Sequence, residues 1–169
     1  MPSRYLLAFI ISVVASAFFA RPALASNLPT VDRVIVDKSQ RQLYLMHGRQ
    51  VLRSYPVSLG KNPTGHKLRQ GDQRTPEGQY RLDWRSADSR YHLALHISYP
   101  GPQDLETAYR NGDQPGGNIM IHGLPGKFAD GAKVLLDLDW TDGCIAVSNE
   151  AIEEIWQLVA DNTIIEILP

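Results

Sequence analysis

Two short segments decide how this chain is interpreted: residues 119–123 are IMIHG, and residues 141–147 are TDGCIAV. Each places a reactive side chain, His122 or Cys144, at one end of a short apolar run that is typical of a buried strand. Gly123 follows the histidine and Gly143 precedes the cysteine, so the backbone can turn sharply beside each reactive group. The two segments predict a β-rich fold in which His122 points into a cleft and Cys144 is its partner.

The chemistry of a thiol explains why these two residue types belong together. Cys144 is the single cysteine of the chain, so no internal disulfide can form. A thiol attacks as the thiolate, and a free cysteine with a pKa of about 8.5 is mostly neutral at pH 7. A neighbouring imidazole can take the proton and return it to a leaving amine. We therefore predict Cys144 as a nucleophile and His122 as its general base and acid.

The first 25 residues are predicted to be a secretory signal peptide rather than part of the fold. Arg4 precedes an unbroken apolar run over residues 6–20, and Ala23-Leu24-Ala25 has the small-residue pattern of a cleavage site. An uncleaved membrane anchor is the alternative, and Arg21 favours it. Cleavage before Ser26 predicts a periplasmic domain of residues 26–169 with no membrane span.

The rest of the chain predicts one mostly β domain with one packed C-terminal helix and short helical turns. Ser148 or Asn149 is expected to cap that helix, and Ile152 and Ile155 lie on its apolar face. Shorter helical segments are predicted at residues 103–110 and 134–138. The polar segment 60–74 is expected to be a long loop of functional importance. The predicted strands cover residues 31–37, 42–47, 51–59, 79–84, 91–99, 118–122, 143–147 and 163–168.

Composition excludes several classes of function. The chain has 169 residues, 43% of them hydrophobic, which argues against disorder. The 17 basic and 18 acidic residues give no electrostatic reason to expect nucleic acid. His92 and His96 lie in an extended stretch, roughly 13 Å apart at about 3.3 Å per residue, too far for one metal ion. We expect no metal and no cofactor, and we expect Trp84 and Trp140 in the core or cleft wall rather than in a sugar platform.

The order of these pieces, from residue 33 to residue 168, resembles the L,D-transpeptidase catalytic domain family of the YkuD type. The resemblance implies a β-rich sandwich with the cysteine in a capped cleft, and an enzyme that acts on peptidoglycan stem peptides in cell-wall assembly or remodelling and cell shape. Cys144 would attack the carbonyl that joins an L-centred diamino acid to a terminal D-alanine, and an amine would resolve the thioester. Gly143 would contribute its backbone. The matching pieces are QLYL at 42–45, VSLGK at 57–61, TPEG at 75–78, IHG at 121–123 and GCI at 143–145.

Departures from the family pattern leave the fate of the thioester open. Thr141 fits the pattern, but Asp142 stands in place of a second histidine and Ala146 in place of an arginine. The motif is similar to that of a divergent branch that includes an amidase releasing lipoprotein from peptidoglycan. Asp142 could orient His122 as a third triad member, or it could satisfy N–H groups of its own loop. An acidic flank also predicts preference for a cationic amine, such as a lipoprotein lysine, as acceptor or leaving group.

Three functions therefore remain as hypotheses. The first is a cysteine L,D-transpeptidase, and the second is an L,D-endopeptidase or amidase that uses water on the same acyl-enzyme. The third is a non-catalytic envelope-binding module. Four arginines could take over recognition of a substrate carboxylate: Arg74, Arg85, Arg90 and Arg110.

Overall fold

The computed structural model describes residues 29–126 and 132–169, and its framework is a single eight-stranded sheet. This confirms the predicted β-rich class. Along the sheet the strands follow the order β3-β2-β1-β8-β4-β5-β6-β7. The strands are β1 (Arg33–Asp37), β2 (Gln42–His47), β3 (Gln50–Pro56), β4 (Gly78–Ser89), β5 (His92–Ile97), β6 (Met120–His122), β7 (Ile145–Ala146) and β8 (Thr163–Leu168).

Alternating apolar residues explain where the central strands form, because their side chains alternate between the core and the surface. In β1, Val34 and Val36 are fully buried while their neighbours are half-exposed, and Ile165 and Ile167 of β8 behave in the same way. Antiparallel pairing joins β1 to β2 and β2 to β3, whereas β8 lies parallel to β1 and antiparallel to β4. The last strand of the chain therefore lies in the middle of the sheet.

The segment that follows β3 connects β3 and β7, the strands at the two ends of the sheet. Ser58 and Ala146 exchange two backbone hydrogen bonds of 2.9 Å, which link the chain beyond β3 to β7. The predicted strand over 51–59 is therefore too long: β3 ends at Pro56, because its partner β2 begins at Gln42, and Arg41, with φ 53°, retains only a 2.9 Å hydrogen bond from the Val57 N–H. This closure encloses the core and brings the Cys144 segment beside the 57–60 segment.

Three helices accompany the sheet in the described residues: α1 (Pro102–Asn111), α2 (Ala132–Leu136) and α3 (Asn149–Leu158). Ser148 caps α3 as predicted, since its hydroxyl accepts a 3.1 Å hydrogen bond from the Ala151 N–H. Ile152 and Ile155 are fully buried against the sheet. No helix within residues 29–126 and 132–169 is long and apolar enough to cross a membrane.

The β4 strand extends five residues beyond the predicted end at Trp84. Its outer half is mostly polar (RSADS, residues 85–89) and pairs only with β5, with irregularities in the register. A two-stranded extension exposed to solvent does not need apolar alternation, so the sequence pattern carried no signal for it. The predicted signal peptide lies outside the described residues and stays a prediction.

Candidate active site

The pairing of β6 with β7 places the histidine and the cysteine on the same face of the sheet. Ile121 pairs with Ile145, and both are fully buried in the core. Because side chains alternate along a strand, His122 and Cys144 both point to the opposite face. They are diagonal neighbours, since His122 pairs with Ala146 and Cys144 lies two positions before Ala146, directly ahead of β7. The structure thus places the two residues predicted as base and nucleophile at neighbouring positions on one face, and their catalytic roles stay a prediction.

Two aromatic rings enclose the imidazole of His122. The Tyr91 ring lies 4.6 Å from it between centroids, and the Trp140 ring lies 5.9 Å away in an edge-on arrangement. His122 is only 4% exposed, and this burial lowers its pKa below the ordinary value of 6.5, although a hydrogen bond to Gly123 opposes the shift. The imidazole is therefore neutral at pH 7, as a general base must be.

A backbone carbonyl determines which ring nitrogen of His122 carries the proton. Nδ1 lies 2.7 Å from the carbonyl oxygen of Gly123, which can only accept a hydrogen bond. Nδ1 is therefore the protonated nitrogen, and Nε2 of the neutral ring presents its lone pair. The predicted supporting role of Gly123 is thus to hold the tautomer and ring orientation. A Cβ at this position would lie 2.5 Å from Oδ1 of Asn149, which accepts a 2.8 Å hydrogen bond from the Leu124 N–H, and 3.0 Å from the carbonyl oxygen of Tyr91, so a larger residue would displace these groups.

Cys144 is a neutral thiol in the resting protein. Burial is the main cause that raises its pKa above the ordinary 9.0, and the negative charge of Asp142 adds to it. The sulfur donates to the carbonyl oxygen of Asn118 at 3.7 Å. The thiol therefore requires a base to become nucleophilic, which is the role that sequence reasoning gave to His122.

The turn before the cysteine is braced by Thr141. Its buried hydroxyl donates to the carbonyl oxygen of Cys144 at 2.7 Å and accepts from the Gly143 N–H at 3.1 Å. Gly143 has φ 131°, and a Cβ there would lie 2.7 Å from the carbonyl oxygen of Arg74. Because the Gly143 N–H is bonded to Thr141, it does not point toward a developing oxyanion in this state; its contribution is the close approach of the backbone.

Asp142 takes neither of the two predicted roles. Its carboxylate forms an ion pair of 2.9 Å with Lys61 and lies 3.4 Å from the side-chain amide of Gln73. Lys61 is the largest cause that lowers the pKa of Asp142. The side chain is 80% exposed, and the carbonyl oxygen of Gly123 occupies the position next to His122 Nδ1 that a triad carboxylate would take. Asp142 is therefore an exposed residue whose negative charge is neutralised by Lys61.

A cavity of about 720 Å³ lies near the cysteine, and it is lined by the predicted loop 60–74 on one side and by residues 116–119 and Asp142 on the other. Asn118, whose carbonyl oxygen contacts the thiol, forms part of its wall. A larger cavity of about 880 Å³ lies between α1 and the end of β8, and none of its lining residues contacts the Cys144 thiol or lies next to Cys144 in the chain. The smaller cavity is therefore the candidate substrate site: Cys144 and His122 do not line it themselves, but its lining residues Asn118 and Asp142 lie on either side of Cys144. Its lining comprises Lys67, Gln70, Gly71, Gln73, Gly116, Gly117, Asn118, Ile119 and Asp142.

A buried ion pair holds the loop that lines this cavity. Lys67 Nζ donates to Asp72 Oδ1 at 2.8 Å, and both side chains are less than a tenth exposed. Burial alone would raise the pKa of Asp72, but hydrogen bonds from Lys67 and three backbone N–H groups outweigh it and lower that pKa to about 2. The loop was predicted from the sequence but the ion pair was not, although two opposite charges only five positions apart could have indicated it.

The four arginines predicted as candidates for carboxylate recognition differ in what they contact. Arg85 donates to Asp161 and to two carbonyl oxygens at the end of α3, and Arg110 pairs with Glu106 on exposed α1. Arg74 donates to the carbonyl oxygen of His66 at 3.3 Å. Arg90 places its guanidinium 5.9 Å from the centroid of Tyr91, the ring that packs on His122. Arg90 is thus connected to the site through one aromatic ring.

His92, His96 and Trp84 contact side chains outside the Cys144–His122 pair, whereas Trp140 packs on His122. His92 bonds to Glu153 and His96 to Asp83, each at 2.7 Å, and the described residues contain no group of three or more potential metal ligands. Trp140 forms part of the cleft wall, as predicted. The prediction was wrong for Trp84, which is 44% exposed and stacks on His96.

Comparison with known proteins assigns the family. The model of the L,D-transpeptidase catalytic domain (YkuD) matches residues 31–167, so the chain belongs to this family of transpeptidases. A curated protein of Escherichia coli (strain K12), "Putative L,D-transpeptidase YafK", is 31% identical over 135 residues, covering 78% of this chain and 47% of that protein. This chain therefore spans about half the length of the curated relatives it matches.

Solved structures agree with the family and the fold. The helical cell shape determining protein Pgp2 from Campylobacter jejuni superposes with a TM-score of 0.63 and 26% identity, covering 82% of this chain and 48% of that one. Bd1075 from Bdellovibrio bacteriovorus gives a TM-score of 0.57 at 26% identity, again over 82% of this chain and 48% of that one. An L,D-transpeptidase from Mycobacterium smegmatis shares the fold with a TM-score of 0.53 at 14% identity, over 81% of this chain and 58% of that one.

Proposed function

We propose that this protein is a periplasmic cysteine L,D-transpeptidase that forms a thioester between Cys144 and peptidoglycan stem peptides. One observation carries the proposal: a neutral imidazole with an accepting Nε2 and a neutral thiol lie on the same face of adjacent strands. Family membership supports the reaction class. The cavity beside Cys144 supports a peptide-sized substrate.

The first half of the reaction acylates the cysteine. Nε2 of His122 takes the thiol proton, and the sulfur forms a bond to the carbonyl carbon of the diamino acid. The carbon–nitrogen bond to the terminal residue then breaks, and His122 gives its proton to the leaving amine. Burial of His122 favours this last proton transfer. Because burial lowers the pKa of His122, the imidazolium gives up its proton readily to the leaving amine.

The second half releases the acyl group from the enzyme. An incoming amine forms a bond to the thioester carbon while His122 takes one of its protons. The carbon–sulfur bond then breaks, and the proton returns to the sulfur, which restores the resting pair. Water in place of the amine gives hydrolysis by the same steps, so the side chains at the site permit both outcomes.

Arg90 is the residue that we assign to the free carboxylate beside the scissile bond. Its guanidinium lies against Tyr91, which packs on His122, so a carboxylate paired with Arg90 would be near the reacting atoms. Arg85 and Arg110 have carboxylate partners of their own. Arg90 would thus take over carboxylate recognition from the family arginine, whose position is occupied by Ala146 in this chain.

Hydrolysis is the second candidate function, in which the enzyme acts as an L,D-endopeptidase or as an amidase that releases lipoprotein from peptidoglycan. The Thr-Asp-Gly-Cys motif around Cys144 favours it, because this motif resembles that of the branch that includes an amidase. The structure weakens the charge argument for a lysine amine, because Lys61 compensates the charge of Asp142. The name of the Campylobacter relative suggests that either activity would serve cell shape.

Product analysis separates these candidates. Purified protein is incubated with a stem tetrapeptide and a lysine-terminated peptide in H₂¹⁸O, and the products are identified by mass spectrometry. Transfer gives peptides joined without ¹⁸O, whereas hydrolysis gives a tripeptide that carries ¹⁸O in its new carboxyl group. Release of neither product, with no acyl-enzyme, would favour the non-catalytic envelope-binding module. Amino-terminal sequencing of protein from a periplasmic extract tests export and cleavage before Ser26.

A further inference from the structure

An exposed tryptophan lies on the same face of the sheet as the candidate nucleophile. Leu82 pairs with Ile97 and Arg85 with Leu95, so Asp83 and Trp84 together lie opposite the single residue His96. This two-against-one arrangement is a β-bulge, a device that redirects side chains. The indole of Trp84 is thereby turned outward onto the imidazole of His96 and remains 44% exposed.

The Trp84 ring is held in place rather than loosely exposed. It stacks on the His96 ring with 4.6 Å between centroids and 15° between planes. His96 is in turn fixed by a 2.7 Å hydrogen bond from Nδ1 to Asp83, and its side chain is only 12% exposed. The Asp83 carboxylate keeps 35% of its surface exposed beside the indole. A rigid aromatic face next to an accessible hydrogen-bond acceptor is the usual form of a binding subsite.

This platform is connected to the cysteine by a row of side chains that crosses three neighbouring pairs of strands. His96 of β5 pairs with Met120 of β6, and Cys144 lies beside Met120, one residue before the Ile121–Ile145 pair. The buried neighbours Leu95, Ile97, Ile121 and Ile145 belong to the core on the opposite face. The row Trp84, His96, Met120 and Cys144 therefore lies on the face that carries the reactive pair.

The length of the row matches the length of a stem peptide. Strands lie about 4.8 Å apart, so three steps place Trp84 about 14 Å from Cys144. Three extended residues span about 10–11 Å, and the short ether link that joins a stem to its sugar adds a few ångström. When the reacting carbonyl lies at Cys144, the sugar at the other end of the stem can therefore reach Trp84.

We propose that Trp84, supported by His96 and Asp83, is a saccharide-binding subsite that receives the sugar ring of the glycan strand to which the stem is attached. This inference rests on the proposed function of Cys144. The C–H face of a pyranose carries partial positive charge and suits the negative face of an indole. Sugar hydroxyls can donate to the exposed carboxylate of Asp83.

The test compares two substrates that differ only in the sugar. The rate of acylation, as kcat/KM, is measured for a free stem tetrapeptide and for the same tetrapeptide carrying its disaccharide. We expect Trp84→Ala to lower kcat/KM for the disaccharide substrate about tenfold and to change that for the free peptide less than about twofold. Trp84→Phe keeps a stacking ring and should retain most of the preference. The matched control is Tyr109→Ala, an aromatic on α1 that is 86% exposed and is not part of the row.

Two results would overturn the subsite: equal effects of Trp84→Ala on both substrates, or no effect on either in a folded variant. A second measurement separates this failure from failure of the proposed function. The disaccharide alone is titrated into ¹⁵N-labelled Cys144→Ala protein, and the indole N–H signal of Trp84, assigned by its loss in Trp84→Phe, should shift. If this signal shifts but wild-type protein acylates neither substrate, the transpeptidase is refuted while the subsite is supported. An unchanged signal would refute the subsite whatever the activity.

Discussion

Replacement of Asp72 by asparagine tests whether the buried ion pair with Lys67 holds the loop that lines the cavity. The Asp72 carboxylate accepts hydrogen bonds from Lys67 Nζ (2.8 Å) and from the backbone N–H groups of Leu68 (2.8 Å), Arg69 (3.1 Å) and Arg74 (3.1 Å). An asparagine keeps the shape, but it removes the charge and turns one acceptor into a donor.

The expected loss of stability follows from the pKa of Asp72. A fall from 3.8 in the unfolded chain to about 2 in the folded protein corresponds to about 2 kcal/mol of stability at neutral pH. Lys67 would also be left buried beside an uncharged amide, and breaking one partner of a buried pair costs about 3–5 kcal/mol. We therefore expect Asp72→Asn to lower the free energy of unfolding by about 2–4 kcal/mol at pH 7.

The pH dependence of the stability loss distinguishes the charge of Asp72 from other effects of the substitution. Because the folded pKa of Asp72 is depressed, its contribution is complete above pH 3.8 and is lost as the pH falls through about 2. The difference between wild type and Asp72→Asn should therefore shrink by more than half between pH 7 and pH 2.5. Urea unfolding followed by circular dichroism at several pH values measures it.

A matched control uses the same substitution on an exposed pair. Asp161 pairs with Arg85 but is 61% exposed, so Asp161→Asn should cost less than about 1 kcal/mol. A gap between wild type and Asp72→Asn that is independent of pH, or no larger than that of Asp161→Asn, would refute the argument that the charge of Asp72 anchors the loop.

Three further predictions concern the site itself. Gly143→Ala should lower acylation on the order of 10²-fold, since a Cβ at φ 131° meets the Arg74 carbonyl at 2.7 Å and displaces the cysteine; a wild-type rate in this variant would be inconsistent with that contact. The pH profile of kcat/KM should fall only below pH 6.5, because burial lowers the pKa of His122 and the base must be neutral; an acid limb above pH 7 would contradict this. Arg90→Met should raise KM about tenfold for a stem with a free terminal carboxylate but not for its amide, and equal KM changes would exclude Arg90 as the partner.

Local patterns were enough to predict most of the framework. The alternation around Val34 and Val36, the Ser148 cap and the apolar face of α3 depend on neighbours within a few residues. The residues Cys144 and His122 were predicted from motif and family resemblance, and the structure places them on one face. The family itself could be identified because the matching pieces keep their order along the chain.

Long-range partners could not be predicted in the same way. Lys61 is 81 positions from Asp142, and no local pattern indicates that the two charges pair. The exposure of Trp84 depends on a bulge whose existence is set by the register between β4 and β5. The hydrogen bond from the Gly143 N–H to Thr141 depends on the local turn geometry, which the sequence pattern does not show.

The central claim is that Cys144 becomes acylated with the help of His122, and one measurement tests it directly. Intact-protein mass spectrometry follows wild type, Cys144→Ala and His122→Ala after mixing with a stem tetrapeptide. Wild type should gain the mass of the tripeptide acyl group, and Cys144→Ala should gain none. His122→Ala should acylate on the order of 10²- to 10⁴-fold more slowly. Turnover of the tetrapeptide by Cys144→Ala at the wild-type rate would contradict the account.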